Sequence, residues 1–258
     1  MPDIYETLDL GYDLPEDITF ESVPVAPTKP PLSRTVTSSY LPPPGKQTTP
    51  SCFVWSTVYG LATFRAAKLY GLDPTSTDNQ ASPIYTYIQV ELNQKIAPNT
   101  CKGGKMLWPL QFLQFNGGTA TMTDAPSLDG CSAAWTAWGS NTLQPNSNFA
   151  VPSWKGVELT GSNAMSNIQN LIVQDIPIAF GCWLYNDFVK YTGSPVPYVG
   201  SGVFAPSKTP SGKVGHCMVI IGYDTKMGPN GAVLIQNSFG ATWGGTWNGS
   251  GGYVWMDF

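Results

Sequence analysis

Apolar residues in the first half of the chain recur at helical spacing. The clearest series begins at Cys52, directly after Pro50-Ser51, and stops at Gly71. Its apolar members lie three or four residues apart, which places them on one helix face: they are Val54, Val58, Leu61, Ala62, Ala66 and Leu69. Shorter helices are predicted at 83–93, 109–115 (closed by Asn116-Gly117-Gly118) and 163–174. The N-terminal half is therefore expected to be mostly helical.

Beyond Asp175 the apolar residues form short runs separated by glycine and proline clusters. Runs of this length between turn residues predict strands, here at 177–185, 216–223, 232–236 and 252–256. Helices followed by strands indicate an α+β fold. We expect a helical lobe at about 46–150 and a β lobe at about 151–258.

The first 45 residues follow neither pattern. Residues 1–23 are acidic, and residues 24–50 are rich in proline. The acidic positions are Asp3, Glu6, Asp9, Asp13, Glu16, Asp17 and Glu21. Proline favours extended and turn conformations over packed elements. We predict an arm over the domain, a flexible leader or a pro-segment in residues 1–45, and not a second domain.

Composition narrows the class of protein. The chain has 258 residues, 42% of them hydrophobic, which is enough for a hydrophobic core that is stable without disulfides or a metal. Charged residues make up only 12%, a balance typical of secreted enzymes, so a secreted or lysosome-like compartment is favoured, although the start at Met1 lacks signal-peptide features. The net charge of −4 argues against a nucleic-acid partner, and no apolar run is long enough to span a membrane. We expect a monomer.

Three residues, in the order Cys, His, Asn, are candidates for catalysis. His216 is the only histidine, and its ordinary pKa suits acid–base chemistry near neutral pH. Cys52 begins a predicted helix, where unpaired N–H groups favour a thiolate. Asn237 follows a predicted strand and could orient the imidazole. The side-chain amide of Gln47 and the Cys52 N–H could stabilise an oxyanion.

The five cysteines lie at 52, 101, 131, 182 and 217. An odd number leaves one thiol unpaired in an oxidising compartment, and five reduced, buried thiols are the alternative. Cys182 and Cys217 lie on predicted strands that could be neighbours, but sheet geometry often forbids a bridge there. Without a Cys-x-x-Cys pair or a second histidine, we expect no metal, and no other cofactor is indicated.

Four segments together resemble the papain-like (C1) family of cysteine peptidases. The first is Gln47-Thr48-Thr49-Pro50-Ser51-Cys52-Phe53, and the second is Cys101-Lys102-Gly103-Gly104. The third is the strand that begins His216-Cys217-Met218, and the fourth is Asn237-Ser238-Phe239-Gly240-Ala241-Thr242-Trp243-Gly244. They follow the family order across residues 47–255.

The resemblance implies peptide-bond hydrolysis through an acyl-enzyme in a cleft between a helical lobe and a β-barrel-like lobe. Cys52 would be the nucleophile, His216 the general base and then acid, Asn237 the orienting residue and Gln47 the oxyanion donor. The substrate is expected to be a peptide or protein. A peptide ligase or acyl-transferase with the same triad, or a catalytically silent peptide-binding relative, are the alternatives.

The resemblance also implies contacts with substrate. Gly103 and Gly104 would lie beside the substrate backbone, with Trp243 near the primed side. Phe239 would shield the bond between Asn237 and His216 from water. The pocket for the second substrate residue would be lined by Gly181, Gly215 and Cys217.

The chain departs from the family pattern at several positions. The interval from Gln47 to Cys52 is one residue shorter than usual, and Phe53 and Phe239 replace tryptophans. Thr49 stands where relatives have a half-cystine, so the resemblance implies that Cys101 pairs with Cys131 instead. The sequence ends at Phe258, where many relatives continue to form the pocket floor. We therefore expect that pocket to be open or lined by another segment, such as the acidic arm.

Overall fold

The computed structural model describes residues 12, 20–26, 28–206 and 212–258. Its helices, apart from short 3-10 turns, are numbered in chain order. Helix α1 runs from 52 to 70, in an α part (Cys52–Val54), a π part (Trp55–Ala62) and a second α part (Thr63–Tyr70). The others are α2 (Pro83–Asn93), α3 (Leu107–Phe115), α4 (Cys131–Trp138) and α5 (Ala164–Val173). The four predicted helices are confirmed, and α4 was not predicted.

Helix α1 is buried more completely than its sequence pattern predicts. Residues 52–60 are all buried, although only one apolar face was expected. The reason is that the helix lies between two cores: Val58 packs with the other helices, while a Cβ on Gly60 would come within 2.8 Å of Val219 in the sheet. Leu69, by contrast, is 56% exposed, so the predicted face ends before it. Gly71 ends the helix with φ +65°, a conformation that glycine adopts at little cost.

Six strands in the described part of the chain form one antiparallel sheet. They are β1 (Ser33–Thr35), β2 (Ile178–Trp183), β3 (Gly215–Asp224), β4 (Ala232–Gln236), β5 (Gly245–Trp247) and β6 (Ser250–Asp257). The order is β1-β3-β4-β6-β5, and β2 pairs with the first part of β3. The four predicted strands are confirmed. Strand β5 lies in a region that was predicted to be a loop.

The proline-rich segment before Lys46 is partly packed against the sheet. Strand β1 pairs with the end of β3, and the Val36 N–H donates to the Ile221 carbonyl at 2.8 Å. Val36 and Leu41 are buried. A short edge strand is held by a few backbone hydrogen bonds and needs no apolar alternation, so the sequence pattern did not predict it. The acidic positions 3, 6, 9, 13, 16 and 17 of the predicted arm lie outside the described residues.

The hydrophobic residues form two large cores. One lies among α1, α2, α3 and α4, and the other lies between the sheet and α5. Cys217 belongs to the helical core although it is on β3. The helices and the antiparallel sheet thus have separate cores, and the predicted α+β fold class is confirmed. None of the helices in the described ranges is long and apolar enough to cross a membrane.

A disulfide joins Cys101 to Cys131, with Cα atoms 5.8 Å apart. This pairing was predicted and is confirmed. Cys52, Cys182 and Cys217 are unpaired thiols. Cys182 and Cys217 cannot bridge, because Cys182 faces His216 across the strand pair whereas Cys217 faces Gly181. Neighbouring residues on a strand point to opposite faces, so the two thiols lie on different sides of the sheet.

Removing this disulfide is expected to weaken the fold. In the chain-entropy model, a bridge between cysteines 30 residues apart stabilises the folded state by about 3–4 kcal/mol. The Cys101→Ser/Cys131→Ser double variant should therefore show a lower free energy of unfolding by that amount in urea titrations. An unchanged midpoint under non-reducing conditions would contradict the prediction.

Candidate active site

Three elements bring the candidate catalytic residues together. Cys52 begins α1, His216 is the second residue of β3, and Asn237 directly follows β4. The antiparallel pairing of β3 with β4 places the last two side by side, and α1 packs against β3. Cys52 and His216 are fully buried, and Asn237 is 3% exposed.

The imidazole of His216 is oriented by Asn237. Nε2 of His216 lies 2.7 Å from Oδ1 of Asn237. An amide oxygen only accepts, so Nε2 carries the proton of this bond. The same Oδ1 accepts from the Ser238 N–H at 2.8 Å, which fixes the amide. Nδ1 of His216 is buried without an oxygen or nitrogen partner among the described residues, and the ring interacts with the Cys52 thiol.

The thiol of Cys52 is activated by its surroundings. Burial by itself would raise its pKa. Hydrogen bonds with Cys217 and then His216, together with the positive charge of the imidazolium, outweigh burial and hold the pKa of Cys52 well below its usual range. The lowered pKa favours the thiolate, the form of a cysteine that acts as a nucleophile.

Aromatic rings cover the imidazole on the side of the sheet core. Phe239 stacks on His216, with ring centroids 4.7 Å apart and planes inclined by 24°. Trp243 packs edge-on against Phe239 at 5.5 Å, and its indole N–H donates to the Val189 carbonyl at 3.0 Å. Phe188 contacts all three rings. Water is thereby kept away from the bond between His216 and Asn237.

Gln47 is buried and held by two neighbours. Its Oε1 accepts from the Ser238 hydroxyl at 2.6 Å, and its Nε2 donates to the Thr49 carbonyl at 3.2 Å. Its main-chain N–H also donates to the Ser238 carbonyl at 2.8 Å. The amide nitrogen has two protons, so one remains for another acceptor. The hydrogen bond to Thr49 lies within the segment from Gln47 to Cys52, which is one residue shorter than the family pattern.

The segment with Gly103 and Gly104 is fixed from three directions. Cys101 carries the disulfide, the Lys102 N–H donates to the Glu91 carboxylate at 3.1 Å, and the Tyr87 hydroxyl donates to the Lys102 carbonyl at 2.8 Å. A Cβ on Gly104 would lie within 2.8 Å of ring atoms of Trp108 and Phe53. Gly104 is therefore required for this close approach of backbone to rings.

The profile of the papain family cysteine proteases matches residues 89–257 of the chain. This is more than half of the sequence. The chain belongs to the papain family of cysteine proteases. It is accordingly a cysteine-type peptidase, a hydrolase. The match includes His216 and Asn237, and Cys52 lies before it. No curated protein matches the sequence.

Solved structures of cysteine proteases share the fold at low sequence identity. Xylellain, a cysteine protease from Xylella fastidiosa, is 16% identical with a TM-score of 0.58, over 93% of this chain and 88% of that one. Procathepsin B S9 from Trypanosoma congolense is 12% identical with a TM-score of 0.56, over 89% and 73%. Procathepsin L 3 of the Tenebrio molitor larval midgut is 16% identical with a TM-score of 0.56, over 92% and 67%. The expected two-lobed papain-like fold is confirmed.

Tyr12 lies among the residues that were expected to line the pocket for the second substrate residue. The expected lining residues come together around the Tyr12 ring: a Cβ on Gly181 would lie 2.1 Å from that ring, and one on Gly215 would lie 2.5 Å from the Tyr12 carbonyl oxygen. Tyr12 donates its N–H to the Gly215 carbonyl at 3.3 Å and forms a parallel bridge with Gly104. It is only 5% exposed.

The role of Tyr12 as a pocket residue was missed in the sequence. The arm was considered as a lining segment, but no motif or periodicity singles out one aromatic residue among acidic neighbours. Burial raises the pKa of the Tyr12 hydroxyl, as do the nearby thiols of Cys217 and Cys52. The ring therefore stays neutral and packs as an apolar group.

Glu91, which anchors the Gly104 segment of the protease, should make stability depend on pH. Burial raises its pKa from 4.5 to about 7, partly offset by the Lys102 N–H. Because the pKa of Glu91 is higher in the folded protein than in the unfolded chain, its protonated form stabilises the fold. This contribution is fully present below pH 4.5 and is lost as the pH rises through about 7. Glu91→Gln should therefore be more stable than the parent at pH 8 by about 1–2 kcal/mol, and should lose that advantage near pH 4.

Urea titrations of both proteins at the two pH values measure this difference. Glu158→Gln, at an exposed position, is the matched control and should follow the parent. An equal pH dependence in the parent and Glu91→Gln would contradict the assignment.

Proposed function

We propose that the chain hydrolyses peptide bonds through a covalent acyl-enzyme on Cys52, with His216 and Asn237 as the other members of the triad. The Cys52 thiolate attacks the carbonyl carbon of the scissile bond. The His216 imidazolium then gives a proton from Nδ1, the ring nitrogen that Asn237 does not engage, to the leaving amine. A water molecule attacks the acyl-enzyme while Nδ1 accepts its proton, and Cys52 is released as thiolate.

Two donors are assigned to the oxyanion that forms during each attack. The Cys52 N–H lies in the first turn of α1, where N–H groups lack helical partners. The second donor is the remaining proton on Nε2 of Gln47. The bonds from Gln47 to Ser238 and Thr49 hold this amide in place before substrate arrives, which lowers the cost of reorganisation.

The observation that carries the proposal is the arrangement of the His216 ring. One nitrogen is engaged by Asn237, the other is buried and free of oxygen or nitrogen partners among the described residues, and the thiol that interacts with the ring has a lowered pKa. A histidine that served only the core would have both ring nitrogens satisfied.

Incubation with a combinatorial peptide library, followed by mass spectrometry of the products, tests this function. We expect peptide cleavage that disappears in the Cys52→Ala variant. A peptide ester with excess amine separates the reaction types, because hydrolysis gives mainly acid whereas acyl transfer gives mainly amide. A library left intact by the parent after the arm ahead of β1 has been removed would overturn the proposal.

We further propose that the arm ahead of β1, within the predicted pro-segment of residues 1–45, blocks the cleft. Tyr12 fills the pocket beside Cys52 and pairs with Gly104, the residue expected to contact substrate backbone. Because one pocket cannot hold Tyr12 and a substrate side chain together, the arm has to leave before substrate binds. The same library experiment shows by mass whether the arm ahead of β1 is removed.

The arm is held at further points between Tyr12 and the first strand. Glu21 forms an ion pair with Lys155 at 2.6 Å. The buried Ala26 N–H donates to the Asn170 side chain on α5 at 3.0 Å. The exposed ion pair contributes little, so the arm between Tyr12 and β1 is held weakly. Such a segment can be displaced without unfolding the domain.

The compartment and the molecular partners follow from this function. The disulfide between Cys101 and Cys131 supports a secreted or lysosome-like compartment, where such bonds persist. The partners are peptide or protein substrates, and we propose that the protein works as a monomer.

A further inference from the structure

A second thiol lies against the nucleophile. The thiol and the main-chain N–H of Cys217 interact with the Cys52 thiol, and the start of α1 packs against the strand that carries Cys217. Both side chains are buried, with Cys52 at 0% and Cys217 at 1% exposure, and both belong to the helical core. The proposed reaction needs only one of these two thiols.

The position of Cys217 is set by the fold. It follows His216 on β3, so the two side chains leave the strand on opposite faces, and the start of α1 packs against this strand. Its partner on β2 is Gly181, which has no side chain that could separate it from the helix. Cys182, the third free thiol of the described residues, lies on the other face of the sheet.

We propose that Cys217 is a resolving thiol for Cys52, so that oxidation by a peroxide joins the two in a reversible disulfide that switches the peptidase off. This inference rests on the proposed role of Cys52 as nucleophile. The disulfide would remove the nucleophile from catalysis and would protect it from irreversible oxidation to sulfinic acid.

The chemistry proceeds in two balanced steps. The Cys52 thiolate attacks one oxygen of the peroxide, the O–O bond breaks, and hydroxide leaves to become water, which gives a sulfenic acid. The sulfur of Cys217 then attacks the Cys52 sulfur, the S–O bond breaks, and the thiol proton leaves with hydroxide as a second water. Two thiols lose two electrons to the peroxide. A dithiol reverses the change by exchange.

The opposite pKa shifts of the two thiols determine which of them reacts first. Burial and the neighbouring Cys52 thiolate raise the pKa of Cys217, so Cys52 is the sulfur that reacts first. The sulfenic acid is neutral, so its formation removes the negative charge that suppresses ionisation of Cys217. Cys217 therefore becomes a better nucleophile only after Cys52 has been oxidised.

Non-reducing peptide mapping by mass spectrometry tests the proposal on the full chain and on a Tyr12→Gly variant, in which the ring over the pocket is absent. After hydrogen peroxide and alkylation of the remaining thiols, we expect a Cys52–Cys217 crosslink that a dithiol removes. In Cys217→Ala and Cys217→Ser, Cys52 should instead accumulate sulfinic and sulfonic acid, at least about tenfold above the parent.

Cys182→Ala is the matched control, because it removes a partly buried thiol close to Cys52 on the other face of the sheet. It should form the crosslink as the parent does. Equal overoxidation of Cys52 with and without Cys217, a crosslink to Cys182, or no oxidation of Cys52 in either background would overturn the proposal. The mapping needs no peptidase activity, so it can fail while peptide hydrolysis stands.

Discussion

Replacing His216 with alanine is expected to lower kcat/KM for peptide hydrolysis by at least about a thousandfold. The variant loses the proton donor for the leaving amine and the acceptor for the attacking water. It also loses a hydrogen bond and a positive charge that lower the pKa of Cys52, so less thiolate is present. His216 is the only histidine, and no second imidazole can replace it. Steady-state rates on a fluorogenic peptide measure the effect.

Cys182→Ala is the matched control for this variant. Cys182 faces His216 across the pairing of β2 with β3, so the substitution removes a partly buried side chain from the same part of the sheet. It should keep its activity within a few-fold of the parent. Residual activity of His216→Ala above about one thousandth of the parent, with the fold intact by circular dichroism, would contradict a single-base mechanism.

Replacing Tyr12 with glycine is expected to raise the initial rate of peptide hydrolysis by the unprocessed chain about thirtyfold. Burial of an aromatic ring stabilises a contact by about 2 kcal/mol, and its loss shifts the equilibrium between blocked and open cleft by that factor. The gain should vanish once the arm ahead of β1 has been removed from both proteins. Initial rates before and after removal give the comparison.

Phe20→Gly provides the control within the same arm. Phe20 is 57% exposed and lies beside Gly156, away from Cys52, so its ring contributes little to the position of the arm. Its loss should leave the initial rate unchanged. If both variants matched the parent, Tyr12 would not block the cleft.

The elements with strong periodicity could be predicted from the sequence. Helix α2 and strand β4 have the predicted bounds, because Ser82-Pro83 starts the helix and an unbroken apolar run fills the strand. The positions of Cys52, His216 and Asn237 could also be inferred, since each carries a residue type that thiol catalysis requires. Their approach to one another could not, because it depends on how α1 packs against β3.

Other features depend on contacts that leave little trace in a local pattern. Strand β1 is three residues long in a proline-rich segment, and α4 is a short helix whose first residue is held by the disulfide. Tyr12 is a single aromatic residue whose place is decided by the space above Gly181 and Gly215. The contact of Cys217 with Cys52 likewise arises from the packing of a strand against a helix start.

The most direct test of the central claim, an activated Cys52 in an assembled triad, is labelling with a peptide-linked epoxide that reacts with thiolates. In the native Tyr12→Gly chain we predict one adduct, on Cys52, while Cys182 and Cys217 react only after denaturation. Labelling of Cys52 after denaturation but not in the native fold would contradict the account.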